Sequence, residues 1–217
     1  MTSHNLFTSR RVRLTPLVVV AAAAVALSGC NSGSGPNSTG TSPSVSATES
    51  VTPSATPTPT AAYKPADATG PAQNVPVPVL PEVAKTETKE GLEAFVTHWF
   101  AQLSFAYQTG DISGVEAITS PGCEFCSNIT SSLKTNYQGG RWLAGGKIIV
   151  PSTMTVSEPA ADELYQVIVQ VQQATITYHD PGGSEFRAAT EPSDTANVLL
   201  VSFKDAAWHV DGLHPLR

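Results

Sequence analysis

The sequence predicts an α+β domain: three N-terminal helices packed on a curved antiparallel sheet, preceded by a signal peptide and a disordered stalk. Three observations predict it. Apolar residues recur at helical spacing through the first half of the folded part. They alternate at strand spacing through the second half, and helices followed by strands is an α+β order. Composition breaks near Pro81, separating a Pro/Ser/Thr-rich stretch from a patterned one.

The first helix lies in "ETKEGLEAFVTHWFAQLSFAYQTGD". Leu92, Phe95, Val96, Trp99, Phe100, Leu103 and Tyr107 fall on one face, Thr86 or Thr88 caps the start, and Gly110 ends it in the left-handed conformation. "DISGVEAITS" is a short second helix, capped by Asp111 or Ser113, with Ile112, Val115 and Ile118 inward. A third is expected to start at Ser120, with Pro121 in its first turn. Cys126, Ile129, Leu133 and Tyr137 share its inner face, and Gly139 and Gly140 stop it.

Strands follow. "RWLAGGKIIVPSTMTVSE" offers one or two, turning at Gly145 and Gly146. In "ELYQVIVQVQQATITYHDPGG", Tyr165, Val167, Val169 and Val171 alternate with glutamines, then apolar parity flips after Gln172 and Gln173. Such a flip is what a β-bulge within one bent strand produces. "DPGG" turns the chain, and "TANVLLVSFKDAAWHVDGL" reads as a hairpin turning at Lys204 to Ala207.

The domain so defined is 82–217, or 136 residues, enough for one ordinary core. Residues 1–29 read as a signal peptide: Arg10, Arg11 and Arg13, then an apolar run of fourteen residues from Leu14 to Leu27. That run is shorter than the ~20 residues a bilayer span needs. Arg13 stands where a twin-arginine signal has an apolar residue, which favours the general secretory route.

Residues 30–81 comprise Cys30 and the stalk. The fifty-one residues after Cys30 hold ten of the seventeen prolines and few large apolar residues, so they bury too little surface to offset ordering entropy. As coil they would span roughly 40 Å. The closing "NVPVPVLPEV" reads as plain linker, although Val/Pro alternation also suits an extended arm along the domain.

The segment "LSGC", Leu27 to Cys30, resembles the lipobox of bacterial lipoproteins. That resemblance implies a diacylglyceryl group on Cys30, with acyl chains of the palmitate kind, and cleavage just before it. Two chains give stable anchoring where one gives only marginal binding. The implied location is the cell membrane, on the extracytoplasmic face of the cell envelope, and the implied partner is the lipid bilayer. All eighteen acidic residues follow Cys30, as do nine of the twelve basic ones, so the mature net charge is 9 − 18 = −9. With no basic run, nucleic acid is not an expected partner.

"PGCEFC" places Cys123 and Cys126 two residues apart. A redox pair, half a metal site and a staple all fit that spacing. A metal site needs about four ligands and no second set is spaced to supply them. Thioredoxin-like chemistry follows a strand within a βαβ unit, whereas a helix precedes this pair. An exported chain favours pairing, so a Cys123–Cys126 disulfide pinning the third helix is expected. No metal or other cofactor is expected.

The opening helix "LEAFVTHWFAQLSFAYQTGD", the closing "WHVDGL" and the order between them resemble the cone-shaped nuclear transport factor 2-like superfamily, including SnoaL-like proteins. With lipobox, stalk and "PGCEFC" the whole also resembles a family of actinobacterial lipoproteins of unknown function. The first resemblance implies a sheet wrapped around the first helix, with a pocket at the wide end. Its members include isomerases and cyclases that use a pocket Asp or His, and also binding and dimerisation modules.

Chemistry-bearing residues are few. His98, beside Trp99, lies off the apolar stripe and reads as exposed or at an edge; Asp111 reads as a cap; His179 and Asp180 read as turn residues. His209 and Asp211 alternate with Trp208 and Val210, so one pair faces the core and the other solvent. Wet His209 and Asp211 are the simpler reading; the reverse makes them an acid–base pair. Trp99, His209 and Asp211 are thus the residues named for a pocket. The expected function is a membrane-anchored, non-catalytic module that binds a small apolar ligand, a peptide or an envelope protein. The alternative is a pocket enzyme of the isomerase or hydratase type.

Overall fold

The computed structural model describes residues 61–155, 159 and 164–216. The signal peptide, Cys30 and the stalk as far as residue 60 lie outside the described residues.

Helix α1, Lys89–Thr109, begins at Thr88, whose side chain accepts from the Gly91 N–H, and ends at Gly110 with φ 78°. A side chain at Gly110 would meet the Tyr137 ring at 2.6 Å. That ring closes the end of α1, and its hydroxyl donates to the Tyr107 carbonyl at 2.8 Å. The predicted face is the core: Leu92, Phe95, Val96, Trp99, Phe100 and Leu103 are all buried.

Helix α2, Ser113–Ala117, is entered through Asp111, whose carboxylate accepts from both the N–H and the hydroxyl of Ser113. Helix α3, Glu124–Asn136, starts at Cys123 rather than at Ser120. Ser120 is engaged elsewhere: its N–H donates to the Val210 carbonyl and its hydroxyl to Asp211. Two tertiary bonds outweigh one local cap, so the segment turns once more before it coils. Cys123 and Cys126 are joined by a disulfide, with Cα atoms 5.3 Å apart. The Cys123 sulfur accepts from the Cys126 N–H, so the staple is also the helix cap.

Seven strands follow: β1 (Trp142–Gly145), β2 (Ile148–Thr155), β3 (Tyr165–Gln173), β4 (Ile176–His179), β5 (Glu185–Thr190), β6 (Ser193–Lys204) and β7 (Ala207–Pro215). All pair antiparallel, in one sheet ordered β1-β4-β5 and another ordered β2-β3-β6-β7. β4 prolongs β3, and β1 leads into β2, so the two sheets share one sharply bent ribbon. At the bend Gly146 N–H donates to the Thr175 carbonyl and Ala174 N–H to the Lys147 carbonyl. Gly145 has φ 87°, and a Cβ there would fall 2.1 Å from the Thr175 oxygen. The parity flip after Gln172–Gln173 is therefore not a bulge inside one strand. It is the corner where the chain leaves one sheet for the other.

The β6–β7 hairpin turns at Asp205 and Ala206, both at positive φ, as a two-residue hairpin turn requires. β5 was not expected; all but one of its residues are exposed, so its sequence lacks the alternation that marks a strand. α1 lies against β1 and β2, and α3 against β7, which puts the core between the helices and the concave sheet.

Residues 61–81 correct the boundary read from composition. Lys64 pairs with Gln73 and Asp67 with Gly70. The Trp142 indole donates to the Asp67 carbonyl at 2.9 Å, the Tyr63 hydroxyl to Gln108 at 2.9 Å, and Gln102 to the Pro78 carbonyl at 3.2 Å. The segment is an arm, not a linker, because prolines set an extended path whose free carbonyls the domain's own donors can satisfy.

Candidate functional site

Along β6 the inward-facing residues are Ser193, Thr195, Asn197, Leu199 and Val201. Leu199 and Val201 are fully buried in the core, whereas Ser193 and Thr195 lie at the exposed end. β3 repeats the gradient: Val167, Val169 and Val171 are buried, and Gln173 stands at the rim. Register places Val169 opposite Asn197, Val171 opposite Thr195 and Gln173 opposite Ser193. One end of the concave face is therefore polar and the other apolar.

Over the polar end, α1 and α3 do not close onto the sheet, leaving a cavity of about 320 Å³. Its apolar walls are Phe100 and Leu103 of α1, Phe125 and Ile129 of α3, and Ile148, Val171 and Leu213 of the sheet. Its polar wall is the Ser193–Thr195–Asn197 row with Gln173 and Tyr107. Tyr107 bonds Gln173, and burial raises its pKa above the ordinary phenol value. Tyr107 is the one titratable side chain among the described lining residues; no Asp, Glu, His, Lys or Arg is among them.

The residues named from sequence for a pocket are not brought together there. Trp99 is buried in the core, its indole donating to Thr119 Oγ1 at 2.8 Å and its ring edge-on to Phe100. His209 is half-buried on β7, opposite Ser202. Asp211 accepts from the Ser120 and Ser202 hydroxyls, each at 2.7 Å, and lines a separate cleft of about 450 Å³ with Glu124, Asn128 and His214. Both its oxygens hold α3's entry and β6 to β7. Trp208 and Val210 are the buried pair, so the wet reading of His209 and Asp211 is the closer one.

His98 is not exposed as expected: the arm covers it, with Val79 bonded to the ring and Gln102 at 3.3 Å. Burial lowers its pKa. His179 is buried at the end of β4, stacked on Trp142; Nδ1 donates to the Gly183 carbonyl and Nε2 meets Thr177 Oγ1. Both nitrogens are occupied, which is a structural role. Among the described residues no three His, Cys, Asp or Glu side chains are grouped to hold a metal ion.

A family model described as a family of unknown function, DUF6318, matches residues 61–214. The chain belongs to that family. The family's extent begins in the arm and not at Glu82, in keeping with the arm's contacts. No curated protein matches the sequence. Solved structures of similar shape include the intermembrane space region of the chloroplast protein ARC6, at 13% identity, covering 60% of this chain and 98% of that one, TM-score 0.45. Aln2 from a Streptomyces species is 12% identical over 58% of this chain and 90% of its own, TM-score 0.38. An uncharacterised protein with a cystatin-like fold from Caulobacter vibrioides is 13% identical over 58% and 84%, TM-score 0.32.

The cavity residues were missed because none carries a motif. The available signal was on β6, where the inward positions change from Ser193, Thr195 and Asn197 to Leu199 and Val201. A strand whose buried face turns polar at one end marks where the core stops.

Proposed function

We propose that this protein is an extracytoplasmic lipoprotein of the actinobacterial kind, held on the membrane through diacylglyceryl Cys30. Its folded part, a nuclear transport factor 2-like cone, is a non-catalytic module that binds a small ligand in the cavity between α1, α3 and the sheet. The observation that carries the binding reading is the lining. It combines apolar walls with neutral hydrogen-bonding groups, the usual make-up of a ligand pocket, and its one titratable group is a phenol with a raised pKa. General acid–base work needs a group with a pKa near the operating pH. The lipobox "LSGC" supports the anchor.

The test is native mass spectrometry of the full chain, purified from a bacterial host. A bound small molecule that is absent from a Val171→Trp variant, which fills the cavity, is the expected result. The same adduct on both forms, or none on either, would remove the cavity from consideration. Incubation returning the ligand chemically altered would favour the isomerase or hydratase reading.

A further inference from the structure

Asn197 is 7% exposed, and it faces the cavity from the fourth residue position beyond the β6 entry. Its Nδ2 donates to the Thr195 carbonyl and to Thr195 Oγ1, both at 3.2 Å. A carbonyl only accepts, so the NH₂ end of the amide must face Thr195. The amide oxygen is thereby turned the other way, and no donor among the described residues meets it. A buried acceptor without a partner costs free energy comparable to a lost hydrogen bond. Neighbouring groups do not relieve it: Tyr107 is bonded to Gln173, and Gln173 also donates to the Gly146 carbonyl.

The rest of the lining restricts what could supply that donor. A carboxylate or ammonium entering the cavity would meet no opposite charge, and burying an unpaired ion is far costlier than burying a neutral polar group. A wholly apolar molecule would leave the Asn197 oxygen unsatisfied and would desolvate the Ser193–Thr195 rim.

We infer that the cavity takes an uncharged ligand with an apolar body and a hydrogen-bond-donating end, of the alcohol class, whose O–H is received by Asn197 Oδ1 while its hydrocarbon lies against Phe100, Leu103, Val171 and Leu213. This rests on the cavity being the binding site, as proposed above.

The inference is tested by isothermal titration calorimetry on the full chain in phosphatidylcholine nanodiscs, with empty discs as blank. The probes are 1-octanol, its methyl ether, octanoate and octylammonium. Octanol is expected to bind about tenfold more tightly than the ether, which accepts but cannot donate. The two ions should bind weaker than octanol by about a hundredfold or more. Asn197→Leu should bring octanol and ether to equal affinity. Preference for either ion, or equal binding of alcohol and ether to the unaltered protein, overturns the ligand class while leaving the cavity as a site. No binding of any probe overturns both. The comparison on the unaltered protein decides the matter even if Asn197→Leu does not fold.

Discussion

Replacing Gly91 with alanine sets helix propensity against tertiary packing. Gly91 lies in the first turn of α1, and alanine there would favour the helix by about 1 kcal/mol. The turn Glu82–Lys85 and the following Thr86 lie across that position, however. A Cβ on residue 91 would fall 2.1 Å from the Thr86 carbonyl oxygen and 2.8 Å from both Thr86 Oγ1 and the Val83 carbonyl oxygen. These are mostly backbone atoms, so no rotamer change relieves the clash; the turn must move. The Thr86 carbonyl also receives the indole N–H of buried Trp208 at 3.1 Å. Overpacking costs about 2 kcal/mol, and weakening the Trp208 bond about 1 more. Set against the propensity gain, the net destabilisation is about 2 kcal/mol. At ~2–4 °C per kcal/mol for a domain of this size, the midpoint should fall by about 4–8 °C. Thermal unfolding followed by circular dichroism measures it, and Trp208→Phe provides the second arm of a double-mutant cycle. With the indole donor already gone, Gly91→Ala should cost about 1 kcal/mol less. A rise in the midpoint on Gly91→Ala would refute the reasoning, because propensity would then have prevailed over the docked turn.

Three further outcomes are expected. Cys30→Ala should release the protein from the membrane fraction or leave it unprocessed; a processed variant still sedimenting with membranes would count against lipidation. Removing the Cys123–Cys126 link with Cys123→Ser/Cys126→Ser should cost roughly 2 kcal/mol by the loop-entropy estimate. Thiol trapping should label neither cysteine in the native chain, both being 2% exposed, and rapid disulfide exchange with a model substrate would defeat the staple reading. Burial lowers the His98 pKa from 6.5, so the unfolded chain takes up the proton first. That contribution to stability is present above about pH 6.5 and is lost as pH falls from there toward the folded-state value. Urea unfolding at pH 7.5 and 5.0 should show a smaller loss in His98→Leu, and an identical loss in both proteins would exclude His98 as its source.

Much of the fold is legible in the chain because local signals and burial agree there. The α1 stripe, the Gly110 stop and the β6–β7 turn are each set by neighbours within a few residues. Other features were settled by partners far away in sequence. Ser120 reads as a helix cap, yet Asp211, ninety-one residues on, takes its hydroxyl and delays α3 to Cys123. His98 reads as wet until a proline-rich arm covers it, and composition alone gave that arm to the stalk. β5 carries no alternation and exists because β4 offers it an edge.

By itself the sequence determined the α+β order, the three helices, the paired cysteines and the acidic, motif-poor character of the chain, because these depend on spacing and composition. The tertiary structure alone decided that β3 and β4 belong to different sheets. It also decided that Asp211 ties segments together instead of facing Trp99, and that Asn197 turns an oxygen into a neutral cavity. The physical reason is the same in each case. A hydrogen-bonding group is committed by whichever donor or acceptor the packed chain brings within about 3 Å, and that partner is not encoded in its neighbours.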